Sequence, residues 1–331
     1  MTVRLGICST AHVHTGGFAS RLVESDDVEF VGVTDDDPDR GQAAADEYGT
    51  RFLEPDELLA AVDGAVICST NATRHEWVER CARAGVDVLS EKPLGISLDD
   101  ARSAFEACEE AGVNLGMCMP LPFSVPARRA KEAYEAGEIG DLRVAIGTNR
   151  AWLRDRHLTG WSADPEHAGG GAAMDHTVHI VDLVRWITGE EVVEVAAELS
   201  TMRDALAVED INVLSMELTD GSVFTLDGSW DRPDDWDYWG DATVSLIGTD
   251  GDIHVDCFDQ TLKRTREGEG IDGVYWGSIP DDGLLADFVD AVETGRAPLI
   301  DGEDGLRETA VVVAAYESAE RGGEPVAVDY P

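Results

Sequence analysis

Short apolar runs and longer segments of helical periodicity alternate along the first third of the chain. Residues 3–8, 28–33, 65–68, 86–89 and 113–118 are apolar stretches of strand length. Between them, residues 15–23, 40–48, 56–61, 73–84 and 98–111 predict helices, with Gly49, Gly85 and Gly112 standing where three of them should stop. This alternation predicts parallel βαβ units and hence an α/β doubly wound sheet. Pro120, Pro122 and Pro126 then punctuate the chain, so the expected division is a first domain over 1–121 and a second over 122–331. Ser124 is placed to cap a helix over 126–136.

Past that point the rhythm changes. Residues 142–146, 192–199, 211–218, 222–228 and 243–247 alternate apolar and polar positions, as antiparallel strands with one buried face do. Asp220-Gly221 and Asp250-Gly251 are hairpin-type turns, and residues 284–294 and 305–320 are late helices. The second domain is therefore expected to be α+β with a largely antiparallel open sheet. Such a face lacks cover in a lone chain, which predicts a homo-oligomer, dimer or tetramer.

Charge narrows the partners. The 331 residues hold 67 acidic and 25 basic side chains, a formal net charge of -42. A field of that sign repels nucleic acid and anionic membrane alike. The acids are spread along the whole length, and only Lys92, Lys131 and Lys263 are lysines. Diffuse acid with little lysine predicts a halophilic protein, in which salt screens the self-repulsion. The six cysteines lack a CxxC spacing, and Cys8 and Cys68 fall in apolar strands. With no signal-peptide pattern and no apolar run of membrane-spanning length, a reduced, cytoplasmic protein is expected.

Candidate chemistry gathers at three places. The first is Glu91-Lys92-Pro93, at the carboxyl end of a strand, where open α/β sheets bind ligands. A chain so poor in lysine that keeps one here has use for an ammonium or a tunable proton, unless Lys92 is simply solvated. Pro93 holds Lys92 extended and allows a cis peptide. The second is the first βα turn, where Ser9, Thr10, Ala11, His12 and Val13 lead to His14. Its position suits a dinucleotide pyrophosphate on a helix N-terminus, although Ser9, Ala11 and His14 stand where G-x-G-x-x-G would have glycines. Asp35, ending the second strand, is at the spacing of a ribose 2′-hydroxyl acceptor. With Asp36 and Asp37 it would repel a 2′-phosphate, favouring NAD over NADP, or it is a solvated acidic turn.

The third is Gly169-Gly170-Gly171 followed by Asp175, His176, His179 and Asp182. A flexible triple glycine opening a helix puts Asp175, His179 and Asp182 on one face. A carboxylate one turn from an imidazole can orient it, which makes His179 a candidate general acid/base. Helix-capping acids and core histidines would look the same. Residue type also permits a metal-dependent variant with His12, His14, His176 and His179 converging, but no spacing demands it, and no metal ligands are assigned. Trp152, Arg154, Arg156, His157 and Trp161 suit stacking on and hydrogen bonding to a ligand, or else are surface-loop residues. Trp230, Trp236, Tyr238 and Trp239 read first as core or interface, then as a substrate lid.

Taken together these residues resemble the glucose-fructose oxidoreductase / inositol dehydrogenase family (Gfo/Idh/MocA) over nearly the whole length. Glu91-Lys92-Pro93 matches that family's lysine motif and follows a Thr70-Asn71…His75 turn similar to the family's. Glu138-Ile139-Gly140, Gly160-Trp161, Asp164-Pro165, the triple glycine, Gly248-Thr249-Asp250-Gly251, and Phe288, Asp304-Gly305-Leu306 and Tyr316-Glu317-Ser318 extend the likeness. The resemblance implies a Rossmann domain and hydride transfer between NAD and a sugar or polyol carbon. By position it implies Lys92, Asp175 and His179 as the catalytic set, with Thr70, Asn71, His75, Glu91 and Lys92 joining the first turn and Asp35 around the cofactor. It places Trp152, Arg156, Trp161 and His176 toward substrate. A non-catalytic sugar or nucleotide sensor on the same scaffold is the alternative. Asn71 where proline is usual, Met117-Cys118-Met119-Pro120 where arginine is expected, and the missing glycines mark a divergent branch.

Overall fold

The computed structural model describes residues 2–153, 160–233, 240–258 and 279–330, with the backbone of 261–266 and 270–275. The first third folds as β1 (Val3–Cys8), α1 (Thr15–Glu24), β2 (Val28–Thr34), α2 (Pro38–Tyr48), α3 (Pro55–Leu59), β3 (Gly64–Ile67), α4 (Arg74–Ala84), β4 (Asp87–Ser90), α5 (Leu98–Ala111) and β5 (Leu115–Met117). The five strands form one parallel sheet in the order β2-β1-β3-β4-β5. β1 and β3 lie side by side where the strand order reverses, the place at which such sheets open a crevice beyond their carboxyl ends. Every residue of β3 is buried, as a strand covered on both faces requires.

Local chemistry sets the helix ends. The Asp37 side chain accepts from Asp39 N and Arg40 N ahead of Pro38, and Ser97 accepts from Asp100 N to start α5. Gly49, Gly85 and Gly112 close α2, α4 and α5 with positive φ, as expected from the sequence.

A short 3-10 turn (Leu121–Phe123) leads to α6 (Val125–Glu135), capped by Ser124, and to β6 (Leu142–Thr148). Then follow α7 (Pro165–Ala168), α8 (Ala172–Thr188), β7 (Val192–Ser200), β8 (Ile211–Leu218), β9 (Val223–Asp227), β10 (Thr243–Gly248), β11 (Asp252–Asp256), β12 (Thr261–Arg266) and β13 (Gly270–Tyr275). Last come α9 (Pro280–Thr294), α10 (Gly302–Glu320) and β14 (Val326–Ala327). A seven-stranded sheet runs β11-β10-β6-β9-β8-β7-β14. It is mixed: β6 pairs with β9 in parallel, and the other neighbours are antiparallel. Alternation along a strand is the same for both pairings, so the parallel pair was invisible in the sequence.

Helix α8 lies on the inner face of this sheet. At Gly147 of β6 a Cβ would stand 2.3 Å from the Ile180 side chain, so the glycine lets helix and sheet close together. Helix α10 packs on α8, on β7 and on α5 of the first sheet, tying the two layers into one body. All six cysteines are buried thiols. Among the described residues no helix is long and apolar enough to cross a membrane.

Candidate active site

Lys92 follows β4 at the carboxyl edge of the parallel sheet, and the Lys92–Pro93 peptide is cis. The guanidinium of Arg74, itself fully buried, donates to Pro93 O at 2.5 Å and to Ser69 O at 3.0 Å, which fixes the backbone next to the lysine. Nothing in the periodicity of α4 marked Arg74 for this task. The Lys92 side chain is only 4% exposed. Its ammonium leaves the first sheet altogether, donating to the Asp175 carbonyl at 3.0 Å and pairing with Asp175 Oδ1 on α8.

The start of α8 is held by groups far away in sequence. It has no side-chain cap of its own at Gly171. Glu209 Oε1 instead accepts from Gly171 N at 2.9 Å, Ala173 N at 3.0 Å and Tyr316 Oη at 2.7 Å. The triple glycine is therefore not a flexible joint. A Cβ at Gly170 would lie 1.8 Å from Tyr316 Oη, and one at Gly171 would lie 2.0 Å from the Glu209 carbonyl oxygen. Crowding, not freedom, requires glycine here. Glu209 and Tyr316 went unnoticed as site residues because their contact is long-range.

One turn along α8 the electrostatics become asymmetric. Burial works against the Asp175 carboxylate, yet Lys92 and His176 outweigh it and hold its carboxyl well below the usual range. His179 goes the other way: burial first, then the Lys92 ammonium, push its imidazole well below the ordinary histidine value, against the pull of Asp175. The result is a neutral imidazole beside an ammonium–carboxylate pair, and His179 Nδ1 is buried without a hydrogen-bond partner. His176, expected to face substrate, is 4% exposed, as Lys92 is. Its Nδ1 meets Gly228 O at 3.1 Å, its Nε2 lies 3.3 Å from Asp175 Oδ2, and its ring stands edge-on to the buried Trp230. It supports Asp175 from behind. Asp182, one turn beyond His179, is buried and faces Glu308 of α10 in place of the cleft.

Around the first turn, Ser9 adopts φ +60, the left-handed conformation the absent glycine would have taken. Its N–H donates to Thr34 O at 2.8 Å. Trp161 Nε1 donates to Ala11 O at 2.9 Å and its ring flanks His12, while Val13 is exposed. The His14 Nδ1 contacts Glu91 Oε1 at 2.8 Å. Burial opposes charge on both, but their mutual attraction prevails: His14 is raised, and Glu91 is held well below the carboxylate range with help from His12. Burial pushes His12 down to about 3 despite Glu91. Among the described residues, the possible metal ligands that gather within 4.8 Å are those of His12, His14 and Glu91; His176 and His179 do not join them.

Asp35 is not an open acceptor. Its side chain is buried, with Oδ2 taking Thr10 N and Thr10 Oγ1 at 2.6 Å each and Arg40 Nε at 3.0 Å. Its Oδ1 takes Asp37 N at 2.9 Å and a second Arg40 nitrogen at 2.5 Å. Asn71 Nδ2 donates to Ala168 O at 2.9 Å, tying the first sheet's loops to α7. Thr70 and Thr73 share a hydroxyl contact of 3.0 Å, and His75 Nε2 lies 3.9 Å from Asp100. Trp152 and Trp161 are half-buried. Arg154, Arg156 and His157, with Trp236, Tyr238 and Trp239, lie outside the described residues.

Comparison with known proteins decides the family. Residues 6–118 match the family model described as an oxidoreductase family, NAD-binding Rossmann fold, and residues 127–254 match the GFO/IDH/MocA C-terminal domain. The chain belongs to the Gfo/Idh/MocA oxidoreductase family. It is 28% identical to a myo-inositol 2-dehydrogenase of Thermotoga maritima, with 96% of each chain covered. It is also 28% identical to D-xylose 1-dehydrogenase (NADP(+)) 2 of Haloferax volcanii, over 91% of this chain and 92% of that one. Among solved structures, GenD2 from gentamicin A biosynthesis, in complex with NAD, superposes with a TM-score of 0.87 at 28% identity, covering 99% of this chain and 96% of that one.

The Gfo/Idh/MocA scaffold fits a dinucleotide on its own geometry. At the β1/β3 switch point β1 leads into α1, whose start at His14 has no side-chain cap, leaving N–H groups for a pyrophosphate.

Proposed function

We propose that this chain is an NAD-dependent oxidoreductase that moves a hydride between the nicotinamide and a CH–OH carbon of a sugar or polyol. Lys92, Asp175 and His179 are the catalytic residues in this reading. The observation that carries it is the Lys92–Asp175 contact, made between the carboxyl edge of the Rossmann sheet and α8, one turn before a neutral His179. Bound NAD supplies the hydride acceptor, or NADH the donor.

The protein's part is to manage a proton and a developing charge. His179, held neutral, receives the hydroxyl proton as the carbon is oxidised and returns it in reduction. Lys92, itself buried, donates a hydrogen bond to the same oxygen and stabilises its negative charge. Asp175 anchors the lysine and balances its charge. Glu209 and Tyr316 fix the helix on which both Asp175 and His179 ride. Trp152 and Trp161, with Arg154, Arg156 and His157, are proposed to meet the substrate. The first-turn residues Ser9 to Val13, with Thr70, Asn71, His75 and Glu91, are proposed to line the cofactor.

The relatives named for inositol and xylose support the substrate class. Two further properties belong to the same proposal: a reducing, cytoplasmic setting, which suits six buried thiols, and a homo-oligomer. The outer face of the second sheet carries the exposed Ile146, Val213, Val223 and Ile247, which a second copy would cover. The test is a panel of polyols and sugars in high salt, followed by NADH absorbance. Turnover of at least one CH–OH substrate is expected. NAD binding without hydride exchange across the panel would favour the sensor.

A further inference from the structure

Two acceptors face one another at the first βα turn with no proton of their own between them. His12 Nδ1 takes the backbone N–H of His14 at 3.3 Å, so it carries a lone pair. The same atom lies 3.7 Å from Glu91 Oε1. Both side chains are buried, at 7% and 1% exposure. His14 Nδ1 reaches the same carboxylate oxygen at 2.8 Å, from a side chain that is 53% exposed. The two imidazole rings stand edge to face with centroids 4.6 Å apart. A buried carboxylate has room for about four hydrogen bonds. Glu91 finds His14 and, at 3.2 Å, the backbone N–H of Lys92.

We propose that His12, His14 and Glu91 form a binding site for a divalent transition-metal ion of the zinc class. The three ligand atoms lie within 4.8 Å of one another. Ligands at about 2.0–2.1 Å from one tetrahedral ion stand roughly 3.4 Å apart. The contacts of 2.8 and 3.7 Å to Glu91 bracket that spacing, and with the third pair also within 4.8 Å small side-chain rotations close the site around an ion. Two imidazoles and one carboxylate suit zinc, cobalt or nickel; magnesium and calcium favour all-oxygen shells. The buried pair sets the geometry, and the half-exposed His14 is the entry side. Three protein ligands leave one position open. On binding, His12 Nδ1 turns its one lone pair from the His14 N–H, a long contact of 3.3 Å, to the ion, and His14 Nδ1 gives up the proton it shares with Glu91, which leaves to solvent.

The pattern escapes the sequence because the carboxylate comes from a strand 77 residues beyond His14. This site also differs from a convergence of His12 and His14 with His176 and His179, since His176 contacts Asp175 and neither it nor His179 joins the cluster.

The experiment is calorimetric titration of the full chain, washed with chelator and free of dinucleotide, with Zn²⁺ and then Co²⁺. One equivalent per chain is expected. His14→Ala, which alters a half-exposed side chain, and His12→Gln should each weaken binding at least about tenfold, as loss of a ligand must if losing an outer-shell partner costs that much. The exposed His254→Ala should leave it unchanged. Absence of binding, or equal affinity in His14→Ala, as diffuse attraction to an acidic surface would give, overturns the proposal. Lys92→Ala separates the two readings: it stops the proposed hydride transfer and keeps the metal equivalent.

Discussion

Replacing Lys92 tests the centre of the mechanism most directly. Lys92→Met keeps the apolar stem and deletes the ammonium. The side chain that carries the charge is 4% exposed, so little of its effect is lost to water. Asp175, left behind, is 40% exposed on its side chain and can hydrate, so the variant should fold. Two losses follow: the donor to the substrate oxygen, and the charge that adds to burial in keeping His179 neutral. Loss of one such donor typically costs about 100- to 1,000-fold in kcat. Proton-transfer support brings the expected range to about 100- to 10,000-fold, roughly 3–5 kcal/mol of barrier. The pH profile gives an independent sign. The Lys92 charge lowers the His179 pKa, so its removal makes the imidazolium easier to form. The acidic limb of kcat/KM must therefore move to higher pH. The assay is NADH absorbance across pH, with cofactor affinity measured separately by NADH fluorescence and expected to survive. Turnover within about tenfold of wild type, or an unmoved acidic limb, would refute the assignment of Lys92.

Other consequences follow from groups around the cleft. Asp182 and Glu308 are buried against each other between α8 and α10; burial, then Asp304, raises Asp182 to about 8, against the pull of Arg185 and of its hydrogen bond with Glu308, and burial, then the Asp182 charge, raises Glu308 well above the carboxylate range against the pull of Arg185. The folded state thus binds more protons than the unfolded one, so this stability is complete below about pH 4 and is lost as pH rises through the folded values. Melting curves should fall over that window, and Glu308→Gln should flatten the slope; a slope that persists unchanged counts against the pair. Gly171→Ala drives a Cβ to 2.0 Å from the Glu209 carbonyl and should cost roughly 1–3 kcal/mol of stability, with lowered kcat, by denaturant melts and initial rates. Arg40 covers Asp35, the residue at the spacing of a ribose 2′-hydroxyl acceptor, so Arg40→Ala should lower kcat/KM with NADP more than with NAD; an unaltered ratio argues against it. With a formal net charge of -42, melting temperature should climb from low to molar salt, and a flat response would remove the case for high-salt adaptation.

How much of this was legible in the chain depends on how local each feature is. The parallel sheet was, because its strands are uninterrupted apolar runs and its helices end on glycines whose positive φ is realised at Gly49, Gly85 and Gly112. Lys92, Asp175 and His179 could be singled out as candidates, since four-residue spacing on one helix and a rare lysine at a strand end are visible in one dimension, and the family resemblance is what joined them into one proposed set. The parallel β6/β9 pair and the two-residue β14 were not, because pairing partners are chosen by the whole sheet. Ser9 is instructive in another way. The fingerprint glycine is gone, yet the backbone still takes φ +60 there, so the turn's shape outlived the residue that usually permits it.

The triple glycine shows where composition stops being informative. Gly169, Gly170 and Gly171 read as slack, because glycine admits the widest range of backbone conformations. In the folded chain they are among the most crowded positions, with Ile96, Tyr316 and Glu209 pressed where side chains would be. The same residue serves both ends, and only the partner distinguishes them. Those partners lie up to 146 residues away, counting from Tyr316 back to Gly170, so no local window contains the answer. The consequence for function is direct. A slack entry would let α8 slide and blur the Lys92–Asp175 contact, whereas an entry clamped by three hydrogen bonds to one carboxylate oxygen delivers Asp175 and His179 at a fixed depth. Glu209→Ala should therefore reduce kcat without matching loss of NAD affinity, and an equal fall in both would mean the helix start serves the fold alone.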